Sequence, residues 1–130
     1  MRLLEAAILA LSAGCAGELA NPARFAGCES GQVEEMFIAK CARCHGADKP
    51  DAALDLVSPG VRDRVRSVTS TSACEGRALV DPTAGMHLIV EKVEDAPPCG
   101  SRMPLGAQAL SPNEIECLRR WSDDVAAEAP

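Results

Sequence analysis

The strongest constraint on this chain is a run of five residues, Cys41-Ala42-Arg43-Cys44-His45. Two cysteines separated by two residues and followed directly by histidine are the attachment signature of a c-type haem. Residues three apart on a helical turn lie on one face, so both thiols can form thioethers with the vinyl groups along one edge of a porphyrin. His45 then supplies an axial imidazole to the iron. The motif therefore predicts one covalent haem c, bound through Cys41, Cys44 and His45.

A Cys-x-x-Cys pair also has two other common uses. It can form half of a zinc site, which needs two further ligands, and His45 and His87 are the only histidines of the chain. It can also form a thioredoxin-like dithiol, which is expected within a βαβ unit, whereas the flanks of this motif have a helical pattern. Zinc and dithiol chemistry stay as alternatives to haem attachment.

The composition fits a small domain built around an apolar cofactor. The 130 residues are enough for one domain with its own core, yet the aromatic residues are only Phe25, Phe37 and Trp121. Because aromatic side chains normally supply much of the buried area, a porphyrin would add the large apolar body that the sequence lacks. The net charge of −6 and the absence of a basic block argue against nucleic acid as a partner.

The seven cysteines divide into three groups. Cys41 and Cys44 belong to the haem motif, and Cys15 lies in a candidate export segment. The remaining four are Cys28, Cys74, Cys99 and Cys117. An even number in an exported chain predicts two disulfides, with three possible connectivities, and disulfides persist in an oxidising compartment. Buried free thiols are the alternative.

The first residues have the features of an export signal. The apolar run 6–13 is too short to span a bilayer and fits the core of a signal peptide. The following segment, Leu11-Ser12-Ala13-Gly14-Cys15, resembles a bacterial lipoprotein signal, in which the cysteine is lipidated and becomes the new N-terminus. Ordinary signal-peptidase cleavage near Ala16 or Ala20 is the alternative. The expected location is the periplasm or cell envelope, with membrane contact only through a lipid on Cys15.

The rest of the chain predicts an all-α domain with long loops. Residues 1–14 are expected to be a signal peptide, 15–31 a tether and 32–127 the folded domain. No segment alternates convincingly as a strand. Helices are predicted over 32–44, which Gly46 ends as C-cap, over 61–68, over 82–93 with Asp81 as N-cap, and from Ser111, where Pro112 and Glu114 complete a capping box.

A haem bound through His45 has a second axial position, for which four side chains are candidates. Met36 lies about two turns before His45 and is expected in the core, since it cannot easily reach the opposite haem face. Met86 and His87 fall in the predicted 82–93 helix, and His87 would give a bis-histidine haem. Met103 lies in a loop stiffened by Pro104 and is the expected distal ligand, because thioether ligation raises the potential and excludes small molecules. A gap-filling loop methionine is the alternative.

These motifs together resemble the class I cytochromes c. The likeness covers roughly residues 30–127 and consists of a helix, Cys41-Ala42-Arg43-Cys44-His45-Gly46, long loops, Met103-Pro104 and a final helix bearing Trp121. The segments 99–104 and 110–114 are similar to those of bacterial monohaem cytochrome domains. The resemblance implies the cytochrome c fold, with its first and last helices crossing so that Phe37 meets Trp121. It also implies Cys41 and Cys44 as thioether sites, His45 as proximal and Met103 as distal ligand.

The four remaining cysteines depart from the simplest pattern of this family. Cys74 and Cys99 lie in the two loops that flank the predicted 82–93 helix and are paired for that reason, and the crossing of the terminal helices that the resemblance implies would bring Cys28 to Cys117. The implied function is one-electron transfer to redox proteins of the cell envelope, without enzymatic activity. The alternatives are a haem protein with an open or labile sixth site, such as a peroxidase or gas sensor, and an exported structural protein without haem.

Overall fold

The computed structural model describes residues 27–29, 31–83 and 85–128, and this part of the chain is all-α. Its only β pairing is an isolated bridge between Thr69 and Ala78. None of its helices is long and apolar enough to cross a membrane. The predicted signal peptide, Cys15 and most of the tether lie outside the described residues. The helices are α1 (Gln32–Lys40), α2 (Ala42–His45), α3 (Val61–Ser67), α4 (Leu88–Glu91) and α5 (Pro112–Ala127), with 3-10 turns at Asp51–Ala53 and Ser72–Cys74.

The predicted first helix is present but divides at Cys41. The backbone of Cys41 has φ −114° and ψ −22°, which ends α1 and begins α2. The chain still coils on, since the amide of Cys41 donates to the carbonyl of Phe37 at 2.8 Å and that of His45 to the carbonyl of Cys41 at 2.8 Å. The Cys-x-x-Cys-His motif therefore occupies a short helical turn of its own.

Gly46 ends this turn, as predicted, but not by a left-handed cap. Its φ of −87° and ψ of −179° are extended. A Cβ at this position would lie 2.6 Å from the carbonyl oxygen of Ala42. Glycine is required here because the backbone approaches the motif turn too closely for any side chain.

The start of α5 is confirmed in full. The hydroxyl of Ser111 accepts from the amide of Glu114, and the carboxylate of Glu114 accepts from the amide of Ser111 at 2.7 Å. Pro112 occupies the first turn, where its missing N–H has no partner to lose. The buried face of α5 consists of Cys117, Leu118, Trp121, Ser122 and Val125.

The first and last helices contact each other around an aromatic pair. The rings of Phe37 and Trp121 meet edge to face, with centroids 5.5 Å apart and an interplanar angle of 88°. The indole nitrogen of Trp121 donates to Glu34 at 2.9 Å, and Lys40 pairs with Glu114 at 2.6 Å. The predicted contact between Phe37 and Trp121 is confirmed, and α3 and α4 pack on the same α5 helix.

The predicted helix over 82–93 is wrong for most of its length, because only Leu88–Glu91 is α-helical. The carboxylate of Asp81 accepts from both the amide and the hydroxyl of Thr83 at 2.8 Å, which forms a local turn rather than a helix cap. Gly85 has φ +62° and His87 is extended. The apolar residues Leu88, Ile89 and Val93 are nevertheless buried as expected.

The structure contains two disulfides, Cys28–Cys117 and Cys74–Cys99. The first joins the segment before α1 to the buried face of α5, across 89 residues of sequence. The second joins the 3-10 turn at 72–74 to the loop after α4, across 25 residues. Of the three connectivities open to these four cysteines, this is the one expected from their positions in the sequence.

Candidate functional site

One apolar cavity of about 330 Å³ lies between the helices and the long loops. This volume is within the range of ligand pockets, roughly 300–1,000 Å³. Its walls come from α1, α2, the segments 52–56 and 68–79, α4, the loop 100–110 and α5, and half of the lining side chains are aliphatic. Cys41, His45 and Met103, separated by up to 62 positions in sequence, all line it.

The two cysteines of the Cys-x-x-Cys-His motif are free thiols, unlike the four that form disulfides. Cys41 is partly buried against the cavity, whereas Cys44 is exposed. Burial raises the pKa of the Cys41 thiol to about 11, and the nearby charge of Lys40 opposes this only in part. Cys41 is therefore a protonated thiol at neutral pH when nothing is attached to it.

His45 follows directly and lines the same cavity. Its Nδ1 is buried and has no hydrogen-bond partner among the described residues. A buried nitrogen without a partner costs about 1–3 kcal/mol, so it calls for a ligand or a further group. One partly buried thiol and the buried imidazole of His45 thus lie on one wall of an apolar cavity, and the second thiol is exposed three residues further along the chain. Thiols and an imidazole are the donors that a covalent haem requires.

Met103 reaches the cavity from the loop between α4 and α5. Its amide donates to the carbonyl of Lys92 at 2.7 Å, and its side chain is partly buried against the core. The Met103-Pro104 peptide bond is cis. The loop also carries Cys99, whose disulfide partner Cys74 lines the cavity as well. The loop therefore presents the methionine thioether to the same space as the imidazole.

The other axial candidates have different environments. Met36 is buried, at 8% exposure, and lines the cavity from α1. Met86 is 60% exposed and lies away from the cavity. The ring of His87 is buried outside the cavity, where its Nδ1 accepts from the amide of Asp81 and its Nε2 lies 3.1 Å from Asp123. Both nitrogens of His87 are engaged, which leaves none for a metal.

Among the described residues that line the cavity, Lys92 is the one lysine or arginine, and the sequence pattern did not single it out. Its ammonium group donates to the carbonyls of Cys99 at 2.6 Å and Ser101 at 2.7 Å. Desolvation lowers the pKa of this ammonium group. No signal in the sequence marks these contacts, since both partners are backbone carbonyls.

The alternative uses of the cysteine pair gain no support from this geometry. No group of three histidine, cysteine or acidic side chains among residues 27–29, 31–83 and 85–128 is arranged to hold a metal ion. In the same part of the chain the motif is flanked by helices and turns, without the strands of a thioredoxin-like unit. Comparison with known proteins identifies no matching family, no similar curated protein and no similar solved structure.

Proposed function

We propose that this protein is a one-electron carrier with a single covalent haem c, in a domain of the cytochrome c type. The observation that carries the proposal is the cavity itself, whose apolar wall brings together Cys41, His45 and Met103. If the Cys-x-x-Cys-His motif had no role in cofactor binding, there would be no reason for Met103, nearly sixty residues downstream, to line the same cavity.

The free thiols are the second support. Four cysteines of the described chain are consumed in disulfides, and the two left over are those at the spacing that thioether attachment requires. Pairing of the others leaves Cys41 and Cys44 available without competition. This arrangement also favours the oxidising cell envelope as location, because the disulfides and c-haem attachment both belong to exported proteins.

The roles of the residues follow from their positions. Cys41 and Cys44 would hold the porphyrin edge, His45 and Met103 would be the axial ligands, and the aliphatic walls would exclude water. The bound group would supply reversible one-electron oxidation and reduction at iron. Two axial side chains leave no coordination site for a substrate, which favours a carrier over a peroxidase or gas sensor. Its partners would be redox proteins of the envelope that bind through small, weak interfaces.

The test is expression with a c-haem maturation system, followed by oxidised, reduced and pyridine haemochrome spectra. We expect a c-type haemochrome together with the weak far-red sulfur-to-iron band. Met103→Ala should abolish that band while leaving the haem attached. Met86→Leu is the matched control, since Met86 is exposed and remote from the cavity, and its spectrum should be unchanged.

Three results would contradict the proposal in different ways. Wild-type protein without haem would refute the cofactor. A c-type haemochrome without the far-red band would shift the function to a haem protein with an open or labile site. A band that survives Met103→Ala but is lost in Met36→Leu would move the distal ligand to α1.

A further inference from the structure

Besides the Cys74–Cys99 disulfide, the side chain of Lys92 holds the loop that carries Met103. The ammonium group of Lys92 donates to the carbonyls of Cys99 and Ser101, at 2.6 and 2.7 Å. These three groups are called the Lys92 clamp below. The backbone of Lys92 adds a third bond, because its carbonyl accepts from the amide of Met103 at 2.7 Å. A single residue thus fixes the loop at three points within five positions.

The backbone conformation of Gly100 leaves room for the ammonium group of Lys92. Gly100 lies between the two accepting carbonyls and has φ +60°, a conformation that side-chain-bearing residues rarely adopt. A Cβ there would come within 3.3 Å of the Lys92 nitrogen. The glycine therefore lets the loop curl around the ammonium group, so that both carbonyls point at it.

The clamp has an energetic cost that a surface lysine would avoid. Lys92 loses hydration in the cavity wall, which lowers the pKa of its ammonium group. Hydrogen bonds from a charged donor are stronger than those between neutral groups, so the two bonds to Cys99 and Ser101 offset this loss. Arg102 and Asp95 form another polar side-chain link in the loop, but it is a solvent-exposed ion pair at 2.6 Å, and pairs of that kind contribute little.

We propose that Lys92 is the positioning residue that fixes Met103 on the cavity wall, and that it thereby sets how readily the methionine leaves the sixth axial position. The first half concerns the loop alone, whereas the second half rests on the proposed function. Lys92 does not touch the iron in this account. It acts by keeping the 99–103 segment in one conformation.

The test uses the full protein as it matures, with both disulfides intact, and follows amide hydrogen exchange by NMR. In Lys92→Met, which keeps the aliphatic chain and removes the donors, exchange of the Met103 amide should accelerate at least about tenfold. Arg102→Met is the matched control in the same loop and should leave that amide within about twofold of wild type. An unchanged Met103 amide in Lys92→Met would overturn the proposal.

Gly100→Ala provides a second variant in case Lys92→Met does not fold. It should accelerate the same amide, and the double variant should exchange no faster than the stronger single one, because both changes disrupt the same contacts. If the accelerations in the two single variants multiplied in the double variant, the Lys92 clamp would not be their common cause.

Haem-loaded protein tests the second half. In Lys92→Met, exogenous imidazole should displace the sixth ligand at least about tenfold faster, with the proximal His45 and the c-type haemochrome retained. If Lys92→Met accelerated exchange of the Met103 amide but left the displacement rate unchanged, the role of Lys92 in retaining the sixth ligand would be refuted. Its role in fixing the loop would stand. Wild-type protein that binds no haem, yet loses Met103 protection in Lys92→Met, would refute the proposed function alone.

Discussion

At the scale of single residues, burial distinguishes two cysteines that the motif treats alike. Cys41 lines the cavity and is partly buried, whereas Cys44 is exposed on the surface of α2. The sequence spacing predicts that both thiols lie on one helical turn, but it contains no information about which one the rest of the fold covers. Cys41 lines a cavity whose other walls come from distant parts of the chain, so its burial depends on the tertiary fold.

The two thiols should therefore react at different rates in haem-free protein. With the pKa of Cys41 raised to about 11, roughly one thiol in a thousand is ionised at pH 8, and only the thiolate is nucleophilic. We expect iodoacetamide to label Cys44 at least about tenfold faster than Cys41. The Cys41 rate should keep rising with pH until the pH approaches 11. Peptide mapping by mass spectrometry measures both rates in one sample, and equal labelling at pH 8 would show that Cys41 is not buried.

At the scale of elements, a capping signal in the sequence predicts a helix correctly when the residues it involves bond to each other in the structure. The capping box at Ser111 and Glu114 is complete within four residues, and α5 begins there as predicted. The 82–93 segment also has an apparent cap in Asp81 followed by Pro82, although without a capping box. No helix begins there, because the carboxylate of Asp81 accepts from the amide of Thr83. The ring of His87 also links the amide of Asp81 to Asp123 on α5.

The same distinction applies to the candidate site. The motif residues and Met103 were predicted, since their chemistry is recognisable from residue type and spacing. Lys92 was missed, because it binds backbone carbonyls whose positions depend on the fold. Gly100 is the only trace of that contact in the sequence, and a glycine in a loop has many possible reasons.

Removal of the α5 cap should destabilise the protein by an amount typical of such caps. Ser111→Ala deletes the hydroxyl that accepts from the amide of Glu114, and we expect the free energy of unfolding to fall by about 1 kcal/mol. Ser67→Ala is the control, since that exposed hydroxyl bonds only to carbonyls within α3, and its effect should stay within about 0.5 kcal/mol. Urea denaturation followed by circular dichroism measures both, and equal losses would exclude a stabilising capping box.

At the scale of the whole molecule, the two disulfides have different relations to the cavity. Cys28–Cys117 connects the start of the described chain to α5, and neither cysteine lines the cavity. Cys74–Cys99 connects the cavity wall to the loop that carries Met103. The first therefore acts mainly on the stability of the fold, and the second acts also on the candidate site.

Removing each disulfide by paired alanine substitution should separate these two contributions. In the chain-entropy model, a loop of 89 residues gives about 4.6 kcal/mol and one of 25 residues about 3.5 kcal/mol. We therefore expect Cys28→Ala/Cys117→Ala to lower the free energy of unfolding by about 1 kcal/mol more than Cys74→Ala/Cys99→Ala. Only the second pair should accelerate exchange of the Met103 amide, since only Cys99 belongs to that loop. Non-reducing urea denaturation and amide exchange on the same samples test both expectations. If the first pair exposed Met103 while the second left it protected, the loop would depend on the global fold rather than on its own attachment to the cavity wall.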